Sequence, residues 1–306
     1  MFKTALAATA FVSLVATGCI KQDDPPEAIQ RAIPTADQVE IKLPAQARIL
    51  GEVADYYRVT RDVTRTLNGG SAWVLILVHT IVQFPVTSQS GNVYTWGPWS
   101  DTLDPAEYKL DVTDNGDGTY DYVLSGRAKT SASSPFENII EGHADPTPGD
   151  NLGHGDFSID FDASRRVNPI DAGDAKGNVI VTYDLAARHL DLAAMAPDAN
   201  GNPASFEYAY NETLDGGGDM VFNATADIGG TATPESLVIR SRWQSDGAGR
   251  GDARIAGGDL GAQQAVASEC WNTLFRRTFY TDSVNWQATE GTVSECAFGT
   301  ADLPPL

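Results

Sequence analysis

Two acidic stretches carry the side chains best suited to chemistry. In "GHADPTPGDNLGHGD", His143, Asp145, His154 and Asp156 offer imidazole and carboxylate, the ligand types taken by zinc and related divalent ions. Their spacing fits no helix or loop motif, and the run reads more simply as a strand, a Pro/Gly loop and a second strand. In "PDANGNPASFE", Asp198, Asn200, Asn202 and Glu207 offer oxygens to calcium. Set as an EF-hand loop, the first position falls on Ala196, where an aspartate is required, and the flanks look like strands. A hairpin loop is the better reading, with weak calcium binding as the alternative. Turn chemistry accounts for Asp114 and Asp117 in "TDNGDGTY". Tyr94, Trp96 and Trp99 in "YTWGPWSD" could stack on a sugar or a peptide, although packing in a core or at a barrel rim is the commoner use of such a cluster. Arg250-Gly251-Asp252 alternates like a strand rather than an adhesion loop.

The arrangements that catalysis needs are missing. There is no G-x-S-x-G elbow, no H-E-x-x-H, no phosphate-binding glycine loop and no dinucleotide fingerprint. The four histidines, His79, His143, His154 and His189, leave few general bases, and His79 lies in an apolar run that suits packing. Carboxylates abound, so a paired-acid hydrolase stays open as an alternative, but nothing singles out a pair. The expectation is a non-enzyme without a cofactor.

Composition narrows the partners. The chain has 306 residues, is 42% hydrophobic and 20% charged, and carries a net charge of -20. Such a surface repels nucleic acid and anionic headgroups, so neither is expected as a partner. Three cysteines are present, Cys19, Cys270 and Cys296.

Residues 1–18, "MFKTALAATAFVSLVATG", hold one charge, Lys3, followed by an apolar run from Ala5 to Val15. That run is too short to span a bilayer comfortably and suits a secretory signal. Val15-Ala16-Thr17-Gly18-Cys19 resembles the lipobox of bacterial lipoprotein precursors, with Ala16 where leucine is usual. The resemblance implies cleavage before Cys19 and its acylation. With Ile20 rather than aspartate next, it implies an outer-membrane lipoprotein, held to the membrane through its N-terminal lipid. Cys270 and Cys296 are then left over in an oxidising compartment and are expected to pair; a two-ligand metal site is the alternative. A closed loop of 26 residues stabilises a fold by about 3.5 kcal/mol on the chain-entropy model.

The elements that would position these groups follow from periodicity. Residues 19–44 are polar, with several prolines and no apolar period, and read as a lipidated, flexible tether. Ile49, Val53, Tyr56, Val63 and Leu67 recur at helical steps over residues 45–67, and Asn68-Gly69-Gly70 predicts a stop. "SAWVLILVHTIVQF" predicts a second helix to about Phe84, although its β-branched content also suits a buried strand. Together residues 45–86 form a predicted helical hairpin. Over residues 90–267 the period becomes two. Tyr120, Tyr122 and Leu124 share one face, as do Phe157, Ile159 and Phe161; Phe206, Tyr208 and Tyr210; and Met220 and Phe222, with charge on the other. Arginines on late strands and aspartates on earlier ones suit cross-strand pairs. Residues 268–298 are aromatic-rich and suit a disulfide-stapled flap.

The predicted architecture is mainly β (α+β): one domain, residues 45–306, built as a large curled antiparallel sheet or half-barrel meander with the helical hairpin on one face. The tail "ECWNTLFRRTFYTDSVNWQATEG" resembles secreted lipoproteins of the myxobacterial type, a pattern to which no activity attaches. The leading expectation is a membrane-anchored, non-enzymatic binding or structural module of the cell envelope, with an envelope protein or a hydrophobic ligand as partner. A half-barrel carrier of a lipid is the alternative by analogy of architecture.

Overall fold

The computed structural model describes residues 24–43, 53–131, 133–149, 152–170, 175–197, 201–228, 230–231, 233–304 and 306. The signal segment, Cys19, Ile49, Asp198 and Asn200 lie outside the described residues.

The alternating segments form strands. They are β1 (Ser88–Ser90), β2 (Val93–Trp99), β3 (Ala106–Asp114), β4 (Tyr120–Ala128), β5 (Glu137–Asp145), β6 (His154–Asp160), β7 (Asn178–Asp184) and β8 (His189–Pro197). The series continues with β9 (Pro203–Glu212), β10 (Gly218–Ala226), β11 (Glu235–Trp243), β12 (Gly249–Gly257), β13 (Gln264–Trp271), β14 (Arg277–Asp282) and β15 (Glu290–Gly291). Among the described residues these fifteen strands lie in one antiparallel sheet in the order of the chain, each paired with its neighbours in sequence. The sheet is a curled, open meander, as the period-two pattern predicts.

One row of cross-strand partners shows how the inner face is made: Val112, Tyr122, Gly142, Phe157, Val181, Leu192 and Tyr208. Glycines in such rows have a specific task. Gly142 stands directly opposite Tyr122, Gly155 opposite Tyr183, Gly218 opposite Trp243 and Gly249 opposite Trp271. In each pair the aromatic side chain lies over the glycine: a Cβ on Gly142 would sit 2.2 Å from Tyr122 Cζ, and one on Gly249 2.4 Å from Trp271 Cζ2. A bare backbone on one strand thus receives the ring of the next, which lets a sheet with many large inner residues curl tightly.

The predicted hairpin is corrected to a single helix. Short helices α1 (Glu27–Ala32) and α2 (Ala36–Val39) precede α3 (Asp55–Ile81), which runs unbroken through Asn68-Gly69-Gly70. The reason is tertiary. The Asn68 side chain accepts a hydrogen bond from the Ile41 N–H and donates one to the Ile41 carbonyl, both at 3.0 Å. Each glycine costs a helix about 1 kcal/mol, which the packing of a helix about 40 Å long readily offsets.

The face that α3 presents to the sheet is only partly the apolar one. Tyr56, Thr60 and Thr64, one helical turn apart, lie over β12–β13, β11 and β10. The Tyr56 N–H donates to Glu269 Oε1 at 3.0 Å, the Thr60 and Ser241 hydroxyls lie 2.6 Å apart, and Thr64 Oγ1 donates to Met220 Sδ at 3.9 Å. Met220, Ser241, Gly251 and Glu269 are partners in one row of β10–β13. A four-residue step along a helix, about 6 Å, comes near enough to the strand spacing of about 4.8 Å for the stripe to follow that row. Tyr57 stacks on Phe275 with centroids 4.2 Å apart.

The tether is also corrected. Ile29, Ile33, Val39 and Ile41 are buried in the core. Ile29 and Ile33 sit one helical turn apart, an apolar signal too short to read between prolines. Gln30 Nε2 donates to the Val82 carbonyl at 3.2 Å, which pins the segment to the far end of α3.

At the near end of α3, Glu269 is fully buried and contacts Arg277 Nε at 3.0 Å, while Arg277 Nη2 meets Asp55 at 2.8 Å. Burial pushes the Glu269 carboxyl up to about 7, against the opposing pull of the Tyr56 N–H and the Arg277 guanidinium. The folded state therefore holds this proton to higher pH than the unfolded chain, and stability falls as pH rises from 4.5 to about 7. Glu269→Gln removes that dependence. Melting curves at pH 5 and pH 8 are expected to show the variant gaining on the wild type as pH rises; a gain by the wild type would mean that Arg277 dominates.

Cys270 and Cys296 form a disulfide, with S–S 2.06 Å and Cα–Cα 5.4 Å. It holds the C-terminal residues against the outer face of β10–β13. No described helix is long and apolar enough to cross a membrane.

Candidate functional site

A cleft of about 320 Å³ opens at one rim of the curled sheet, between residues 37–42 and the ends of β6–β9. The N-terminal segment supplies one wall, and its position follows from the burial of Val39 and Ile41 beside it. The floor is apolar, made by Val39, Leu185, Leu190 and the buried Tyr183 and Tyr210. The lip is charged. Glu212, at the end of β9, takes Arg188 Nη1 at 3.1 Å on one oxygen and Lys42 Nζ at 3.6 Å on the other. Arg188 lies in the β7–β8 turn with φ 55°, a conformation that holds its carbonyl on the Glu212 N–H at 3.0 Å. The curl of the sheet and the docking of the N-terminal segment bring these three charges together from separate elements.

His189 stands beside them. Its Nδ1 faces Asn211 Oδ1 at 2.8 Å and its Nε2 faces Asp191 Oδ2 at 2.6 Å. Two acceptors suit the doubly protonated imidazolium. Burial works against that charge, but the Asp191 and Asn211 contacts and the nearby carboxylates outweigh it and raise the His189 pKa above the ordinary histidine value. The cleft can therefore present cations and a shared carboxylate above an apolar floor, an arrangement suited to holding a small ligand by its polar end.

The residues singled out by sequence fall elsewhere. His143 and Asp156 are direct partners on β5 and β6, as are Asp145 and His154, so the structure does bring all four together on the outer face. Each histidine is nevertheless taken by its own carboxylate: His143 Nδ1 lies 2.6 Å from Asp121, and His154 Nε2 lies 3.4 Å from Asp145. Asn202 lies in the β8–β9 connection, and Glu207 is exposed in mid-strand on β9. Among the described residues no group of three or more His, Cys, Asp or Glu is placed to hold a metal ion. Asp114 and Asp117 accept from Gly116 N at 2.8 Å and Thr119 N at 3.0 Å, ordinary turn bonds. Trp96 is buried and donates from Nε1 to the Phe84 carbonyl at 2.8 Å, while Tyr94 and Trp99 are half-buried against the core; the aromatic cluster is packing. Arg250 and Asp252 of the Arg-Gly-Asp string are buried.

Fold and site together define a class: a large open antiparallel meander curled around one long helix, with a polar-lipped cleft at its rim. No protein-family model, no curated protein and no solved structure matches the chain.

Proposed function

We propose that the chain is a lipid-anchored, non-enzymatic binding module of the cell envelope, tethered through Cys19, and that the rim cleft is its ligand site. The observation that carries this reading is the cleft itself, with its apolar floor under the Lys42–Glu212–Arg188 bridge. Its volume is at the small end of the range for small-molecule sites. Packing favours this reading over a lipid carrier: α3 lies against β10–β13 through Tyr56, Thr60 and Thr64, where a carrier needs a permanent space between helix and sheet. It also favours binding over a carboxylate hydrolase. Of the four acids that line the cleft, Glu212 is engaged by two cations and Asp184 accepts the Ala187 N–H at 2.8 Å, while Asp37 and Glu40 stand exposed on the N-terminal wall.

The test is native mass spectrometry of the chain from Ile20 onward, secreted to a periplasm and purified without detergent, alongside Leu152→Trp. Leu152 is 46% exposed at the cleft, so tryptophan there fills the opening without entering the core. A small-molecule adduct that is lost on unfolding and absent from the variant is the expected result. A bare chain in both, or an adduct indifferent to the substitution, goes against the reading.

A further inference from the structure

The outer face of β10–β13 carries three arginines under the C-terminal tail. Arg240 forks onto Asp219 at 3.0 and 2.5 Å. Arg250, nearly fully buried, donates from Nε to the fully buried Asp252 at 2.9 Å. Arg242 lies between them, 3.3 Å from Asp252. Two aspartates, Asp219 and Asp252, stand against these three guanidinium groups, which leaves one positive charge in excess beneath the tail, with Arg254 further along the same face of β12, on a protein whose net charge is -20.

The tail satisfies that excess in a regular way. Arg250 Nη1 donates to the Phe298 carbonyl at 3.1 Å, Arg242 Nη2 to the Thr300 carbonyl at 2.7 Å, and Arg240 Nη1 meets the Asp302 carboxylate at 2.8 Å. The acceptors recur at every second residue, so an extended chain crosses successive arginines with one acceptor for each. The Phe298 ring lies 5.0 Å from the Arg242 guanidinium. Among the described residues the buried Arg242 Nε has no acceptor, so the described tail does not exhaust what the face can bind. Cys296, two residues before Phe298, is fixed to Cys270. That bond keeps the tail at high effective concentration over its own face.

We propose that this face is a binding groove for an extended peptide segment bearing a carboxylate, and that the protein's own tail occupies it as an internal ligand. An incoming segment displaces the tail by repeating its pattern: an aromatic ring, backbone carbonyls two residues apart, and an acid at the fourth position beyond the ring. The groove is separate from the rim cleft and does not depend on it.

The test uses the full chain carrying Phe298→Ala and Asp302→Ala, which removes the ring and the carboxylate and so weakens the tail's hold while keeping the disulfide, and a fluorescein-labelled peptide with the sequence of residues 297–306. Fluorescence anisotropy is expected to show saturable micromolar binding to this variant, about tenfold weaker for a peptide in which the aspartate is alanine. The wild-type chain is expected to bind far less, because its tail competes. No binding by a variant that melts and folds like the wild type overturns the proposal. Should the variant lose its melting transition, hydrogen exchange of the wild-type tail decides. Excess unlabelled peptide is expected to speed exchange across residues 297–302, and unchanged exchange at millimolar peptide overturns the proposal equally.

Discussion

Replacing Ile29 or Ile33 with alanine is expected to lower stability by about 2–5 kcal/mol each, as large as any aliphatic truncation in the sheet. Both side chains are essentially fully buried, although they lie in a stretch whose composition suggests a linker. The loss has two parts: the transfer free energy of the deleted carbons and the cavity they leave. Relaxation is limited because the segment is fixed on both sides. Gln30 holds the Val82 carbonyl, the Ile33 carbonyl lies 3.4 Å from His79 Nδ1, and Ile41 is bonded through both backbone groups to Asn68. Urea melts of the two variants beside Glu27→Ala supply the comparison. Glu27 is exposed and pairs with Arg31, itself exposed, so its removal is expected to change stability by less than about 0.5 kcal/mol. Equal, negligible shifts in all three would return this segment to the role of a linker.

The second large effect concerns the rings that lie over glycines. Tyr122→Ala is expected to cost about 3–5 kcal/mol, as for other buried aromatic truncations. Gly142→Ala is expected to cost about 1–3 kcal/mol by overpacking, since the new methyl meets the Tyr122 ring at 2.2 Å. The two are coupled. In the Tyr122→Ala background the glycine substitution has nothing to strike, and its cost is expected to vanish or reverse. The double-mutant cycle by chemical denaturation reads this as an interaction of about 1–3 kcal/mol. Additive effects would mean that Gly142 is kept for its backbone alone. The pair Gly218–Trp243, where only ring atoms face the glycine, offers the same test elsewhere in the sheet, whereas at Gly155 a new methyl would also strike the His143 carbonyl.

Much of the sheet is legible in the sequence because its chemistry is local. Phe157 and Ile159 alternate with polar residues, and the Asn-Gly-Asp-Gly turn before Tyr120 leaves little choice of register. The disulfide is expected once Cys19 is set aside on its lipobox resemblance, which leaves two cysteines. What escapes the sequence is whatever depends on distant partners. Asn68-Gly69-Gly70 carries a strong stop signal, and only Ile41, 27 residues earlier, turns Asn68 from a breaker into a bridge. Thr60 and Thr64 fall beside the apolar stripe of Tyr56, Val63 and Leu67, but nothing local shows that Ser241 and Met220 wait for their hydroxyls. The cleft is the extreme case. Lys42, Arg188 and Glu212 carry no motif and meet only when the sheet curls and the N-terminal segment docks. The arginine stripe of β11 and β12 is visible as alternation, but the carbonyls that answer it lie in a tail whose aromatic content pointed to a lid and whose backbone contacts leave no trace in composition.

The strict neighbour-to-neighbour order of the sheet has a consequence for how the chain reaches this state. Each strand can join its predecessor through a nearby connection, so most pairings close small loops and incur little chain entropy. The helix is different. Its first turn is held by Glu269 and Arg277, more than two hundred residues downstream. A chain emerging from its N-terminus can zip hairpin after hairpin, and Thr60 and Thr64 can meet β11 and β10 as those strands form, but the first turn of α3 gains its anchors only when β13 and β14 arrive. A chain cut short before β13 would keep most of its strands and leave that first turn unheld.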